Sequence, residues 1–373
     1  MKDKYLVVGA GITGCVIAEN IASQLGKEVL LIDSRRHVGG NCRDYRSFEG
    51  ILVHEFGPHI FHTNNGDVWN YLSRFTDWTM YFHRVLANIE GMEIPVPFNL
   101  NSIYMAFPAE LAGKLENALI EKFGYGTKIP ILEMRKTESP LLKFLADYVY
   151  RNVFLGYTVK QWGVKPEEID ESVSGRIPVY ISRDDRYFQD KYQAIPRLGY
   201  SKMIENMLKN DKIEVRLGCD FREISDPNNY KMVIYTGKID EYFGGKYGEL
   251  PYRSLRFETE YLNTRQFQPV AQMNYPSNFD FTRITEFKHF LPQNTAGTII
   301  AKEYSMPHVA GKNTPFYPII NPENMSIYEK YRSEALQLKN VIFAGRLAEY
   351  KYYNMDQAVA SALDKFSLIA GRV

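Results

Sequence analysis

The chain of 373 residues has only three cysteines, Cys15, Cys42 and Cys219, and no two are close in sequence. A dispersed, odd-numbered set builds no disulfide framework and offers no paired thiols to a metal. It points to reduced thiols in a cytoplasm. Net charge is almost absent: 45 Lys and Arg stand against 44 Asp and Glu, for a formal +1. No global field draws such a chain to nucleic acid or to a membrane surface, so any anion must be bound by a few placed cations. No apolar run approaches the roughly 20 residues that a spanning helix needs. Met1-Lys-Asp-Lys leads straight into an apolar run, so no cleavable leader is expected. Internal repeats, low-complexity stretches, a Ser-His-Asp set and a paired-carboxylate motif are also missing.

Aromatic residues, in contrast, make up 14% of the chain, and 27 of them are tyrosine. Tyrosine joins a ring face to a polar tip, which suits core packing and also stacking on bases, sugars or a flavin. The length exceeds one ordinary core and predicts two or three domains.

Tyr5-Leu-Val-Val8 runs into Gly9-Ala-Gly11-Ile-Thr13-Gly14, followed by a helical pattern on Ile17, Ile21 and Leu25 that stops at Gly26. Glu28–Ile32 reads as a second buried strand ending on Asp33. This is a βαβ dinucleotide fingerprint. Gly9 permits the tight turn, Gly11 lets backbone N–H groups approach a pyrophosphate, and Gly14 lets helix pack on strand. The helix N-terminus faces the phosphate charge, and Asp33, about 20 residues on, is placed for a ribose hydroxyl. A second glycine pair, Gly39-Gly40-Asn41, follows Arg35-Arg36. Coupled to the first motif it shifts the expected cofactor from NAD towards FAD, with Arg36 near the cofactor phosphates.

Residues 100–165 read as helical. Pro108 opens a helix carrying Leu111, Leu115, Leu119 and Phe123 and ending at Gly124. Ser139-Pro140 opens another to about Phe154. Beyond it, Tyr157-Thr158 and Gln161-Trp162 are expected in a loop equipped to stack a base and bond a sugar, unless they merely pack a helix end. From 175 to 320 short β-type runs dominate, the later ones with antiparallel alternation. Val341–Ala344 reads as a buried strand ending at Gly345-Arg346, and a helix over about 355–371 is expected to be capped by Asn354. That helix start would favour an anionic reduced flavin. The expected fold class is α/β: a Rossmann-like FAD-binding domain (1–80, 198–245, 325–373), an inserted helical substrate-binding domain with a mobile loop (100–170), and an antiparallel sheet domain (81–99, 171–197, 246–324).

His59 and His62 stand three apart behind Gly57-Pro58. No third ligand joins them at a recognisable spacing, so a flavin-facing position is expected and no metal. Arg176 and Arg283 sit in apolar surroundings and need an anion or a carboxylate, for which a diphosphate or, for Arg283, Glu286 is available.

Together these elements resemble the UDP-galactopyranose mutase family nearly end to end. The resemblance rests on Gly9–Gly14, Gly39-Gly40-Asn41, His59-Ile-Phe-His62-Thr, Gly156-Tyr-Thr-x-x-Gln-Trp162, Arg176-Ile-Pro and Tyr187-Phe. It continues through Tyr252-Arg-Ser-Leu, Thr282-Arg283, Lys302-Glu-Tyr304, Phe316-Tyr317-Pro and Gly345-Arg-Leu-Ala-Glu-Tyr-Lys-Tyr-Tyr353. It implies an isomerase that interconverts UDP-galactopyranose and UDP-galactofuranose, or the N-acetylgalactosamine equivalents, through an adduct of the sugar on N5 of reduced FAD and without net redox change. The product would be a furanose donor for cell-surface glycans. Arg176 and Arg283 then clamp the diphosphate. Tyr187, Tyr317 and Tyr352 reach its oxygens, and Phe154, Tyr157, Thr158 and Trp162 form the uridine side. His59, His62 and Asn274 lie near flavin and sugar, and Arg346, Asn354 and Met355 lie at the flavin. A cytoplasmic homodimer is implied. Two positions depart from the family pattern: Asn354 stands where Asp is usual, and Phe82-His83-Arg84 falls where an Asn near the sugar is usual, which makes His83 or Arg84 a candidate sugar contact. Two rivals remain: a flavin amine oxidase or dehydrogenase on the same cofactor fold, and a non-enzymatic nucleotide-binding protein.

Overall fold

In the computed structural model, residues 3–168 and 177–371 are described. Five short strands form a parallel sheet in the order Ile213–Leu217, Val29–Asp33, Tyr5–Val8, Met232–Tyr235, Val341–Phe343. The three central strands are apolar and almost wholly buried, as a parallel sheet covered on both faces requires. Helix Ile12–Gln24 leaves the first strand and packs between the sheet and the last helix, Met355–Ala370. It is enclosed on most sides, and even Glu19 is buried, bonded to the Tyr71 hydroxyl at 2.8 Å and to Arg74 at 3.0 Å.

A seven-stranded sheet runs Tyr317–Pro318, Tyr252–Leu262, Thr298–Pro307, Arg283–Glu286, Gln272–Asn274, Val85–Ile89, Met92–Val96. It is antiparallel except for one pair: Gln272–Asn274 runs parallel to Val85–Ile89. The last two strands form a hairpin turning on Glu90 and Gly91, both with positive φ (53° and 86°), as a two-residue turn of matching twist demands. A small third sheet joins Phe61–Thr63, Tyr192–Pro196 and Trp78–Met80. Strand Tyr192–Pro196 thus pairs with the N-terminal part of the chain and takes no place in the seven-stranded sheet.

The helical region builds its own core from Leu115, Leu119, Leu142, Leu145 and Val149, continuous with Ile89 and Ile94 of the neighbouring hairpin and with Phe98 just after it. Helix Ala109–Phe123 ends at Gly124 as its sequence predicts. The second helix differs from expectation. After Pro140–Val149 it widens into a π-helical stretch, Tyr150–Leu155, and then continues as an α-helix, Gly156–Trp162. The Gln-Trp segment is therefore helical, because nothing in 155–161 breaks the pattern, and the stop comes at Gly163 in the left-handed region (φ 77°). Gly156 marks a close approach: a Cβ there would lie 2.2 Å from the Pro276 carbonyl oxygen.

Candidate active site

The C-terminal ends of the parallel strands open on a cavity of about 780 Å³. Its floor is backbone. Gly9 (φ 104°) turns the chain so tightly that a Cβ would sit 2.0 Å from Thr236 Oγ1, and a Cβ on Gly40 would sit 2.9 Å from Gly11 Cα. The two glycine loops touch directly, with the Gly39 N–H donating to the Ala10 carbonyl at 2.8 Å. Gly9, Gly11, Thr13, Asp33, Gly39, Gly40, Asn41, His59, Gly345, Arg346, Asn354 and Met355 all line this cavity. Gly14 does not; it lies behind, where a Cβ would meet the Gly9 carbonyl oxygen at 2.0 Å, so its part is the helix–strand contact.

Arg36 stands otherwise than expected, and Asp33 has a second task. Asp33 lines the cavity, but its carboxylate braces the loops, accepting from the Ala10 N–H at 2.7 Å and the Arg35 N–H at 2.8 Å. Arg36 is exposed and outside the lining, while Arg35 is in it. Arg35 is held there by Asn41 Oδ1 at 3.1 Å and by the Phe56 ring beneath its guanidinium. The residues fit a flavin dinucleotide: a cradle without Cβ atoms, a long helix presenting its N-terminus, and cations at the rim.

The second half of the site is made of side chains. Asn274, Arg283 and Glu303 are successive register partners on three adjacent strands, so their side chains share one face. Arg283 donates from Nε at 2.8 Å and Nη2 at 2.7 Å to Glu303 Oε2, and Glu303 is 1% exposed. Glu286, the carboxylate nearer in sequence, is not the partner: three residues along a strand it points to the other face, where it accepts from the Phe267 and Gln268 N–H groups and pairs with His289. Burial works against the Arg283 charge, yet Glu303, Tyr157 and Tyr317 together hold its pKa well above its usual range. Burial raises the Tyr157 and Tyr317 phenols in turn, so both hydroxyls stay protonated and can donate.

Trp162 meets Tyr317 and Tyr352 with ring centres 5.8 and 5.7 Å away, and Tyr317 meets Tyr352 at 5.1 Å. The Arg346 guanidinium lies over both tyrosines (5.3 and 5.5 Å) and donates to the Phe316 and Tyr353 carbonyls. Since Arg346 also lines the glycine cavity, it joins the two halves. His59 lies at the same junction. Burial pushes its pKa down to about 4, against the pull of its bond to the Gly57 carbonyl at 2.8 Å and with Arg346 and Arg283 adding to the fall. The imidazole is neutral at neutral pH. His62 takes another course, pairing with Asp190 at 2.9 Å and stacking on Phe188 at 3.6 Å. Among the described residues no group of three or more His, Cys, Asp or Glu is arranged to hold a metal.

His83 is buried beside Tyr187, with ring centres 5.6 Å apart. Phe154 belongs to the helical core, and Thr158 is partly buried on the same helix as Tyr157 and Trp162. Asn354 occupies the cap position of the last helix, and the Gln357 side chain returns a bond to its N–H at 2.9 Å. Arg176 lies outside the described residues.

Sequence reasoning missed three supports. Glu303 stood inside the quoted Lys302-Glu-Tyr304 run, but only strand register reveals its tie to Arg283. Arg253 stood inside Tyr252-Arg-Ser-Leu. Buried, it donates to the carbonyls of Gln161 (2.9 Å) and Lys160 (3.1 Å) and so caps the helix that ends in Trp162. The third, Gln272, carried no sequence signal.

A sequence profile described as UDP-galactopyranose mutase matches residues 152–352, and one described as an NAD(P)-binding Rossmann-like domain matches residues 7–75. The chain is 39% identical to a Klebsiella pneumoniae protein named probable UDP-galactopyranose mutase, over 97% of this chain and 94% of that one. It is 36% identical to the dTDP-fucopyranose mutase of Escherichia coli, over 97% of each, and 35% identical to the UDP-galactopyranose mutase of Mycoplasma genitalium, over 96% of this chain and 93% of that one. In fold it resembles a crystal structure of reduced UDP-galactopyranose mutase (TM-score 0.75, 16% identity, covering 100% of this chain and 95% of that one). It resembles a putrescine oxidase less closely (TM-score 0.57, 9% identity, covering 100% and 99%). The profile spans more than half of the chain and the identities run nearly its full length, so the chain belongs to the UDP-galactopyranose mutase family and is an isomerase.

Proposed function

We propose that this protein interconverts UDP-galactopyranose and UDP-galactofuranose, or the N-acetylgalactosamine equivalents, with FAD in the reduced state and no net redox change. The observation that carries the reading is the junction of the two halves: Arg346 lines the glycine cavity and lies over Tyr317 and Tyr352, whose neighbours are Arg283, Tyr157 and Trp162. When bound, reduced FAD supplies the nucleophile, and it ends the cycle as it began. Arg283 and the hydroxyls of Tyr187, Tyr317 and Tyr352 hold the diphosphate and stabilise its charge as it departs, with Tyr157 on the uridine side. Arg176, implied by the family resemblance, completes that clamp. Trp162 closes on the two tyrosines and excludes water, which would otherwise capture the activated sugar. Neutral His59 lines the flavin side without adding a cation that would hold the diphosphate too tightly. Three free, buried cysteines support a cytoplasmic setting, and the family resemblance supports a homodimer.

The test is to incubate the flavin-loaded protein with UDP-galactose, UDP-N-acetylgalactosamine and dTDP-fucose separately, with and without dithionite, and to separate the nucleotide sugars. A furanose product from a UDP-sugar only under reduction is expected. Product from dTDP-fucose alone would move the substrate to that of the E. coli relative, and no product from any of the three would overturn the reading.

A further inference from the structure

Strand Gln272–Asn274 lies between Arg283–Glu286 and Val85–Ile89. Residues two apart on a strand share a face, so Gln272 and Asn274 stand side by side, 4% and 8% exposed. Gln272 Nε2 donates to Asn274 Oδ1 at 3.0 Å. The Gln272 side chain also lies beside the His83 imidazole and opposes the fall in its pKa, and His83 Nδ1 lies 3.2 Å from the Tyr81 hydroxyl. Tyr81, His83, Gln272 and Asn274 thus lie in one row, partly buried at Tyr81 and buried at the other three. His83 is wedged among Tyr187, Phe188 and Phe290, which fixes its ring.

A primary amide has one acceptor oxygen and two donor protons. In Asn274 the oxygen is taken by Gln272. Its nitrogen donates to no described residue and is not among the sealed, unpartnered atoms of the core. It belongs to the face that carries Arg283, the register partner of Asn274.

We propose that Gln272 and His83 are positioning residues that lock the Asn274 amide so that it offers N–H donors, never its carbonyl, to the sugar ring of the substrate, and so select a sugar with an acceptor oxygen at the facing carbon. This rests on the reading that Asn274 faces the sugar. His83 then stands two residues back from the sugar instead of touching it. Without Gln272 the Asn274 amide is free to turn by half a revolution, and its buried oxygen loses its only donor among the described residues.

The experiment compares UDP-galactose with UDP by calorimetric titration of the oxidised, flavin-loaded enzyme; UDP lacks the sugar and is the internal reference. The proteins are wild type, Asn274→Ala, Gln272→Met and the double variant. Gln272→Met should weaken UDP-galactose binding about 10-fold with UDP binding unchanged, and should raise KM more than it lowers kcat. In the Asn274→Ala background the same change should have no further effect. His83→Phe keeps a ring in place and should give a smaller loss of the same pattern; it carries the test if Gln272→Met does not retain flavin. If Asn274→Ala weakens sugar binding and neither Gln272→Met nor His83→Phe does, the lock is rejected while Asn274 keeps its place. If none of the variants alters the UDP-galactose to UDP ratio, Asn274 does not face the sugar and both readings fall. Additive losses in the double variant would also overturn the lock. Monodeoxy analogues of UDP-galactose then name the carbon: the one lacking the contacted oxygen should bind wild type and Gln272→Met alike.

Discussion

The glycine half and the side-chain half of this site are built from different materials. The first is a cradle of backbone: Gly11 and Gly40 meet, and Gly9 and Gly345 press on Thr236 and Thr13, because none of the four carries a Cβ, and a helix N-terminus completes it. The second is a set of charged and aromatic side chains, Arg283, Glu303, Tyr157, Tyr317, Tyr352 and Trp162, brought together from five separate stretches of chain. A backbone site tolerates no added atom but needs little from distant residues. A side-chain site tolerates small changes at many points, yet depends on strand register and helix termination far away in sequence.

This contrast can be broken or sharpened. The largest effect is expected at Gly14. Gly14→Ala places a Cβ 2.0 Å from the Gly9 carbonyl oxygen and must prise helix from strand. Flavin retained per protein should fall to near zero, whereas Gly66→Ala, with open space around it, should retain flavin fully. Equal retention in both would deny the cradle its steric basis. Next, Arg283→Ala should lower turnover by about 100- to 1,000-fold with flavin content unchanged. Arg283→Lys should recover only part of this, because Lys lacks the two-pronged geometry that meets Glu303; flavin loss in step with activity would show that the two halves are not separable.

Acid stability comes third. His54 and His83 are both 2% exposed, and burial, the largest cause in each, pushes each pKa down to about 3. Their folded values lie below the unfolded value near 6.5, so the unfolded chain binds the extra protons. The stability they lend is whole above about pH 6.5 and is lost as pH falls towards 3. Each should lose about 2 kcal/mol between pH 7 and pH 5. His54→Phe should therefore flatten the fall in melting temperature of the flavin-loaded protein, and an unchanged slope would count against a neutral His54. Trp162→Ala removes two ring contacts and should weaken UDP binding about 10-fold, measured by titration. The smallest effect is expected at Asn354→Asp. Both residues cap the helix, and one added charge at its N-terminus should shift turnover by about 2- to 3-fold; a larger change would give that position a direct part in the chemistry.

The glycine cradle was legible because its signals are local. Gly9–Gly14, Gly39-Gly40 and the strand–helix–strand pattern lie within 41 residues, and the backbone freedom of glycine is a property of the residue itself. Helix Ala109–Phe123 was legible for the same reason, from its spacing and from Gly124. Arg35 and Arg36 are adjacent and alike, so only the packed loop, with Asn41 and Phe56 around Arg35, separates the one that lines the cavity from the one in solvent.

The amino-acid sequence by itself determined the Rossmann-like half and the family, because these rest on short motifs whose conformations are set by neighbours in the chain. The tertiary structure alone decided that Arg283 pairs with Glu303 and not Glu286, that Trp162 ends a helix held by Arg253, and that His83 and Gln272 stand behind Asn274. Those relations depend on which strands meet and in what register, and register is settled by burial of whole sheet faces, not by the residues that happen to be brought together.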